Sequence, residues 1–252
     1  MRYGSTIHPE VDLIEEIERQ PEEFDFLEIT VGEFTRNIDE IDEEKFRDVL
    51  ETEDYGLLIH LPFGQPVATK IEEFNEAEID YLKRVIEFSS RVNAEKVVLH
   101  PNIRYREDAE DVKSQFKDQL KKLDSICKVN KLELCVENMP PQINCAANNF
   151  KLAEILDELN IGMCFDTGHG YASMGQEEME EFLEKHSDII SHLHLQDTRE
   201  GKDLHMPIGS GEISFDDIAQ KVQNFDQTLT MEVFTQDLDY LELSLEKTRQ
   251  KF

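Results

Sequence analysis

The feature that most constrains the fold is a repeated alternation of short apolar runs with longer, acidic amphipathic segments along the 252 residues. This βαβα rhythm, without a linker or a break in composition, predicts a parallel sheet with helical connections. Eight apolar runs are present, and eight parallel strands close a barrel. The predicted strands are Tyr3–Ile7, Phe26–Val31, Gly56–His60, Lys96–His100, Glu133–Glu137, Gly162–Asp166, Ile189–Leu195 and Leu229–Phe234.

Amphipathic segments follow the strands and carry apolar residues at helical spacing, which indicates helices packed on a sheet. Asn75 is predicted to cap the third of them. We therefore expect a single (β/α)₈ barrel domain spanning residues 1–252, with helices that serve packing. The helical segments start near Val11, Asp42, Asn75, Asp111, Asn149, Glu177, Ser214 and Asp237.

Composition narrows the class of partner. The formal net charge is −30, from 56 acidic and 26 basic residues, so the surface repels phosphodiester backbones and nucleic acid is disfavoured as a partner. A solubilising acidic surface is the simpler explanation of this charge. No apolar run is long enough for export or for crossing a membrane, so a cytoplasmic protein is expected. Four cysteines without CxxC spacing are predicted to be reduced and structural: Cys127, Cys135, Cys145 and Cys164.

Polar residues close the predicted strands. In a parallel barrel the functional face lies at the C-terminal ends of the strands, so a charged residue in that position is a candidate for function. Seven of the eight predicted strands carry a carboxylate or an imidazole there. These residues are Glu28, His60, His100, Glu137, Asp166, His194, Asp197 and Glu232.

Any one of these side chains alone is explained by a cap, a turn or a hydrogen-bonded rim position. As a set, however, they would repel one another or be desolvated at a cost of several kcal/mol. A bound divalent cation removes that conflict. Mixed His, Asp and Glu ligands suit zinc, manganese, cobalt or iron better than magnesium or calcium.

Two local patterns add further candidates. In FDTGHG, Asp166 and His169 flank a Thr-Gly turn, so both side chains are expected to reach one site. In DLHMPIGSG, Asp203 and His205 precede a glycine-rich turn that forms either a phosphate-binding nest or a tight loop. The tight loop is favoured, because no GK[ST] or GxGxxG sequence accompanies it.

Three histidines are predicted to lie outside the site. His8 precedes a proline in the first βα loop, and His186 ends a helical segment, where a cation complements the helix dipole. His192 shares a strand face with His194 but is deeper in the barrel, so it is expected to be a hydrogen-bonded barrel histidine. Alternation along the strand does not by itself separate these two.

The chain resembles the xylose isomerase-like TIM barrels, also called the AP endonuclease family 2 superfamily. This superfamily includes sugar isomerases and epimerases as well as endonuclease IV. The resemblance spans nearly the whole chain and follows the family's order. It rests on the segments LLIH, VVLHPN, LCVEN, FDTGH, HLHLQD, DLHMPIGSGEISF and MEVF.

The resemblance implies one of two metal sites. The isomerase and epimerase branch holds one divalent metal, zinc, manganese or cobalt, through the residues matching Glu137, Asp166, His194 and Glu232. Endonuclease IV holds three zinc ions through nine side chains. The matching positions here are His60, His100, Glu137, Asp166, His169, His194, Asp203, His205 and Glu232.

The segments that grip DNA in endonuclease IV are different in this chain. HLPFGQP, HPNIRYRED and ENMPPQINCAANN do not resemble those segments, and the acidic net charge adds to the difference. The resemblance therefore favours an isomerase or epimerase with one metal per chain. A zinc-dependent apurinic/apyrimidinic endonuclease with up to three metals is the alternative. A metabolite-binding barrel without turnover is a third interpretation, which the intact pair of glutamates disfavours.

The favoured interpretation assigns roles as follows. Glu137 and Glu232 transfer the proton of a small sugar, sugar phosphate or related carbonyl polyol through an ene-diolate. Asp166 and His194 complete the metal ligands. Residues expected to bind the substrate or to orient the groups around it are Glu28, His60, His100, His169 and Arg199. No membrane partner is expected, and a homo-oligomer is compatible with the sequence.

Overall fold

The computed structural model describes residues 1–7, 12–32, 36–104 and 106–252. Within these residues, eight parallel strands pair in sequence order and β8 returns to β1, which closes the barrel. The (β/α)₈ prediction is confirmed. The strands are β1 (Arg2–Thr6), β2 (Phe26–Thr30), β3 (Gly56–His60), β4 (Lys96–Leu99), β5 (Glu133–Glu137), β6 (Gly162–Asp166), β7 (Ile190–Leu195) and β8 (Thr228–Met231).

One α-helix follows each strand within the described residues, and its apolar face packs against the barrel. The long third and fourth helices show this clearly, because Leu82, Val85, Phe116 and Leu123 are fully buried. The helices are α1 (Leu13–Glu18), α2 (Glu43–Thr52), α3 (Glu72–Arg91), α4 (Ala109–Val129), α5 (Asn149–Leu159), α6 (Thr167–His186), α7 (Phe215–Lys221) and α8 (Asp239–Arg249). Two 3₁₀ turns, Ile38–Glu40 and Ser187–Ile189, precede α2 and β7.

Several predicted boundaries were wrong by a few residues. Helix α3 starts at Glu72, so Asn75 does not cap it. Asn75 is instead buried in the first turn, where its Oδ1 accepts from the Thr69 backbone N–H at 2.8 Å. Strand β8 ends at Met231 rather than at Phe234, because the backbone N–H of Phe234 donates to the His205 carbonyl in the preceding loop.

The Thr-Gly segment after Asp166 was also predicted wrongly as a turn. It is the first turn of α6, and the Asp166 side chain caps this helix by accepting from the His169 backbone N–H at 2.6 Å. The helix is interrupted at Gly175, whose φ of 72° and ψ of −179° are not helical. An apolar stripe begins only near Glu177, which explains why the sequence pattern predicted a later start.

A register shift in β7 sets which residues face the barrel interior. Met163 pairs with Ile190 and Cys164 with His192, so Ser191 is the extra residue of a bulge. His192 and His194 then lie in register with Cys164 and Asp166. The bulge therefore directs both histidines of β7 into the barrel.

The cysteines pack as predicted. All four are free thiols, and three of them are buried. Cys135 and Cys164 form a small apolar cluster with Val98, separate from the main core. Across the described residues, none of the helices is both long and apolar enough to cross a membrane.

Candidate metal centre

Four side chains from consecutive strands β5 to β8 meet at the C-terminal end of the barrel. Glu137 and Asp166 are the last residues of their strands, His194 is the penultimate residue of β7, and Glu232 directly follows β8. One ligand atom from each lies within 4.8 Å of the others. All four are buried, with Glu232 the most exposed at 9 %. We call these four residues the central cluster.

Three atoms of the central cluster are buried without a hydrogen-bond partner. They are Glu137 Oε1, His194 Nδ1 and Glu232 Oε2. His194 Nδ1 lies 3.1 Å from Glu232 Oε2 and 3.5 Å from Glu137 Oε1, so the atoms are close but not aligned for hydrogen bonding. Buried polar atoms are normally satisfied. Convergent donors of this kind, two Glu, one Asp and one His, fit a divalent cation such as zinc, manganese or cobalt.

Glu28 fixes the orientation of the His194 ring. His194 Nε2 lies 3.0 and 3.1 Å from the two Glu28 oxygens and donates its proton there. In the neutral ring, the lone pair of Nδ1 then faces the central cluster. Metal-binding histidines commonly donate their second ring N–H to a carboxylate in this way, which fixes the tautomer.

Glu28 itself lies deeper than predicted. It is the middle residue of β2, two residues below the strand end, and is 1 % exposed. Its carboxylate also accepts from Thr230 Oγ1 at 2.7 Å and contacts His192 Nε2 at 3.1 Å. Two residues of strand correspond to about 6.6 Å, so the Glu28 carboxylate meets imidazoles rather than the barrel opening.

A second group of residues shares Glu137. His60 Nε2 and His100 Nε2 lie 3.3 and 3.1 Å from Glu137 Oε2, and 3.1 Å from each other. His60 Nδ1 donates to the Leu61 carbonyl at 2.9 Å, which leaves Nε2 free to act as a ligand. We call His60, His100 and Glu137 the His60 cluster, because their ligand atoms also meet within 4.8 Å.

A third group adjoins the central cluster, since His169 Nδ1 lies 3.0 Å from Glu137 Oε1. Asp203 Oδ2 is 3.2 Å from His169 Nε2, and Asp203 Oδ1 is 3.3 Å from His205 Nε2. The Nδ1 atoms of the two histidines donate to the carbonyls of Asn138 and Glu232 at 2.9 and 3.2 Å. We call His169, Asp203 and His205 the Asp203 cluster. The three clusters together contain all nine residues that the sequence suggested as ligands.

Burial and charge shift the pKa values of these groups in opposite directions. Burial raises the pKa of Asp166 to about 7. Burial also disfavours the ionised form of Glu232, but His194 and His205 outweigh it and lower the pKa of this carboxyl to about 2. For His205 the charges of Glu232 and Asp203 outweigh burial, and its pKa rises to about 9. Protonated imidazoles thus neutralise the carboxylates when no cation does.

The other predicted positions are distributed as follows. His192 is a hydrogen-bonded barrel histidine, as expected, with Nδ1 at 2.8 Å from Thr228 Oγ1. His186 packs against the rings of Phe150 and Phe182. Arg199 is exposed in the β7–α7 loop, which also carries Asp203 and His205. His8 lies outside the described residues.

The glycine-rich segment is a tight loop held by Asp197. Gly209 N–H and Gly211 N–H donate to Asp197 Oδ2 at 2.9 and 2.7 Å, and Ile213 N–H donates to Oδ1 at 3.2 Å. The backbone N–H groups that a phosphate-binding nest would offer to an anion are thus already bonded to Asp197. This agrees with the tight-loop prediction, and it explains why Asp197 faces the loop rather than the central cluster.

Sequence reasoning missed two kinds of site residue. Gln196 is fully buried and its amide contacts Asp166 and Asp203, yet an amide between a histidine and an aspartate gives no distinct signal. Two exposed phenylalanines also border the clusters. The ring centroids of Phe63 and His100 are 5.5 Å apart, and Phe234 stacks on His205 with ring centroids 3.9 Å apart. Both phenylalanines closely follow a predicted ligand at a strand end, and this position in the sequence could have indicated that they border the site.

Comparison with known proteins identifies the family. The sequence profile described as xylose isomerase-like TIM barrel matches residues 22–251. The chain belongs to this family.

Proteins with similar sequences fall into different classes. An uncharacterized protein of Methanocaldococcus jannaschii is 25% identical over 207 residues, covering 81% of this chain and 80% of its own length. A probable endonuclease 4 of Staphylococcus epidermidis is 28% identical over 203 residues, covering 72% of this chain and 67% of its own length.

Solved structures share the fold of this xylose isomerase-like barrel. A D-tagatose 3-epimerase-like protein superposes with a TM-score of 0.82 at 22% identity, covering 100% of this chain and 99% of that protein. The IOLI protein with a bound zinc atom superposes with a TM-score of 0.78 at 19% identity, covering 100% of this chain and 96% of that protein.

Proposed function

We propose that this protein is a divalent-metal-dependent isomerase or epimerase of a small sugar, sugar phosphate or related carbonyl polyol. The observation that carries the proposal is the convergence of Glu137, at the end of β5, and Glu232, directly after β8, on the same nitrogen of His194. Two carboxylates at one centre suit a reaction in which a proton is removed and then returned. The epimerase-like protein among the similar structures supports the substrate class.

The central cluster would hold the metal, through Glu137, Asp166, His194 and Glu232. When bound, a divalent cation would polarise the substrate carbonyl and stabilise the negative charge that follows proton removal. The zinc atom in the similar IOLI structure supports a metal of this type. Zinc, manganese and cobalt are the candidates, with one ion per chain.

Glu137 and Glu232 carry the proton transfer in this proposal. Neighbouring imidazoles hold the pKa of both carboxyls below the ordinary value, so both are ionised at neutral pH. One carboxylate removes the hydrogen on the carbon next to the carbonyl. The other carboxylate takes up a proton from solvent and returns it to the opposite face of that carbon, which gives the epimer. Return of the removed proton to the former carbonyl carbon, with transfer of the neighbouring hydroxyl proton to the former carbonyl oxygen, gives the isomer.

The surrounding residues bind and orient the substrate. Substrate hydroxyls would bind to the ring nitrogens of His60, His100 and His169, which border the centre. A more distant polar or charged group of the substrate would bind to Arg199 in the β7–α7 loop. Glu28, which contacts His194 and His192, acts through His194 rather than on the substrate.

A specific observation favours a second candidate. The His60 cluster and the Asp203 cluster flank the central cluster, and the first of them shares Glu137. Three adjacent ligand groups suit multinuclear phosphodiester hydrolysis, in which additional cations stabilise the attacking and leaving oxygens. The sequence similarity to a probable endonuclease 4 is in line with this candidate. The net charge of −30 weighs against a polyanionic substrate.

Metal analysis together with two activity assays separates the candidates. We expect one tightly bound divalent ion per chain, interconversion of a ketose with its epimer or aldose in a panel of free and phosphorylated sugars, and no incision of an abasic-site duplex. About three zinc ions per chain with incision of the duplex would replace the isomerase by the endonuclease. Bound metal with neither activity would favour the non-catalytic metabolite-binding barrel.

A further inference from the structure

We propose that Gln196 is a positioning residue that couples the central cluster to the Asp203 cluster. Gln196 follows β7 and is fully buried. Its Nε2 donates to both oxygens of Asp166, each at 3.2 Å, and to Asp203 Oδ1 at 3.0 Å. One amide nitrogen thus bonds to a carboxylate of each cluster. This inference rests on the proposed metal site of the central cluster.

The other end of the same amide fixes a third site residue. Gln196 Oε1 accepts the backbone N–H of His205 at 2.7 Å. His205 has a φ of 46°, a left-handed conformation that non-glycine residues adopt only when their surroundings hold them there. The bond to Gln196 helps to hold that backbone, and with it the direction of the His205 ring towards Asp203.

Neighbouring residues are adapted to the Gln196 side chain. Thr167 Oγ1 donates to the backbone carbonyl of Gln196 at 2.8 Å and so fixes the main chain from which the side chain extends. Gly168 lies against the amide so closely that a Cβ at this position would be 2.4 Å from Gln196 Cδ. A side chain at this point of the first turn of α6 would therefore displace the Gln196 amide. The Gln196 amide therefore packs closely against its neighbours and does not fill an open cavity.

Gln196 can couple the two clusters because its Nε2 has fewer hydrogens than there are carboxylate oxygens around it. An amide nitrogen carries two hydrogens, while three carboxylate oxygens of Asp166 and Asp203 lie within 3.2 Å. Whatever occupies Asp203 Oδ1, a cation or a substrate hydroxyl, releases a hydrogen of Gln196 to Asp166. Occupancy of the Asp203 cluster is therefore expected to change the donors available to Asp166 and so the metal affinity of the central cluster.

The test uses the full-length protein and measures Mn²⁺ affinity by competition with a chelator at fixed pH. Q196M keeps the size of the side chain and removes both polar atoms, and we expect it to weaken binding about 10- to 100-fold. Q119M is the matched control, because Gln119 is also a buried glutamine, bonded to the Asn75 carbonyl away from the site. Q119M should leave Mn²⁺ affinity unchanged within about twofold, the change expected of a substitution away from the site.

Coupling is measured with a double-mutant cycle that adds D203A. If Gln196 couples the clusters, the effect of D203A on Mn²⁺ affinity in the Q196M background should differ from its effect in the wild type by about threefold or more. A merely structural role would give additive effects. Unchanged affinity in Q196M, or additive effects, with normal Mn²⁺ binding by the wild type, would overturn this inference and leave the proposed function standing.

A second variant protects the test against misfolding. Q196N retains the amide but is shorter, so it should recover part of the affinity lost in Q196M, and circular dichroism would establish that both variants are folded. Equal affinity of folded Q196N and wild type would contradict the requirement for a side chain that spans Asp166 and Asp203. Failure of the wild type to bind any divalent metal would instead overturn the metal site on which both proposals rest.

Discussion

Replacement of Glu28 by glutamine tests how the barrel interior prepares its metal ligand. The Glu28 carboxylate receives the His194 ring N–H at 3.0 Å and the Thr230 hydroxyl at 2.7 Å, and it lies 3.1 Å from His192 Nε2. An amide has the same shape but only one acceptor oxygen and no charge. In E28Q the bond from His194 therefore loses its charged acceptor, and the amide NH₂ faces one of the groups that an oxygen contacts in the wild type.

The expected magnitude follows from the charge-assisted bond to His194. Hydrogen bonds to charged groups contribute about 1.5–3 kcal/mol, and outer partners of metal-binding histidines typically change metal affinity about 10- to 100-fold. We expect E28Q to weaken divalent-metal binding by about that factor. The His194 ring would no longer be held with Nδ1 towards Glu137 and Glu232.

The measurement is a chelator-competition titration with Mn²⁺, Co²⁺ or Zn²⁺, paired with urea unfolding of the metal-free protein. E16Q is a suitable control, because Glu16 is a buried carboxylate bonded to Arg19 and Gln20 on α1. E16Q should lower stability without changing metal affinity. If E28Q lowered stability to the same extent as E16Q but bound metal like the wild type, Glu28 would be a core residue and the positioning argument would be refuted.

Three further predictions follow from the same site. E232Q should remain folded and lose turnover at least about 100-fold in a coupled sugar-interconversion assay, because a general acid–base group contributes that much; full turnover would remove its proton-transfer role. The chelated protein should lose about 1–3 kcal/mol of unfolding free energy between pH 6.5 and 9. The reason is that the pKa of His205 is raised to about 9 in the folded state. Its contribution to stability is therefore present below pH 6.5 and is lost as the pH rises through 9. Urea unfolding at the two pH values checks this, and an H205N variant with an equal loss would contradict it. G168A should displace the Gln196 amide and weaken Mn²⁺ binding in the same competition titration, whereas wild-type affinity would show that the amide adapts without consequence.

The strands and their terminal residues were predictable because both signals are local. Apolar runs bounded by charged residues located β3, β5 and β6 to the residue, and the rule that function lies at the C-terminal barrel face selected residues such as Glu137 and Asp166. The start of α6 was not predictable from periodicity, since TGHGYASMG carries glycines and small residues instead of an apolar stripe. Its helix depends on the Asp166 cap.

The contacts that organise the site were hidden because they join residues distant in sequence. Glu28 and His194 are 166 positions apart and come from strands that are not neighbours in the barrel. Only closure of the barrel brings them together, so the sequence suggested a substrate contact for Glu28. Gln196 was overlooked for a different reason, because an uncharged amide beside stronger candidates becomes informative only when its partners Asp166 and Asp203 are known.

Exchange of substrate hydrogen with solvent tests the central proposal most directly. The metal-loaded protein is incubated in D₂O with a panel of ketoses and their phosphates, and proton NMR follows the hydrogen on the carbon next to the carbonyl. If Glu137 and Glu232 transfer this proton, deuterium should enter at that carbon in at least one sugar, and the exchange should stop in the chelated protein and fall in E232Q. Absence of exchange from every sugar of the panel, with a fully metal-loaded protein, would contradict the isomerase proposal.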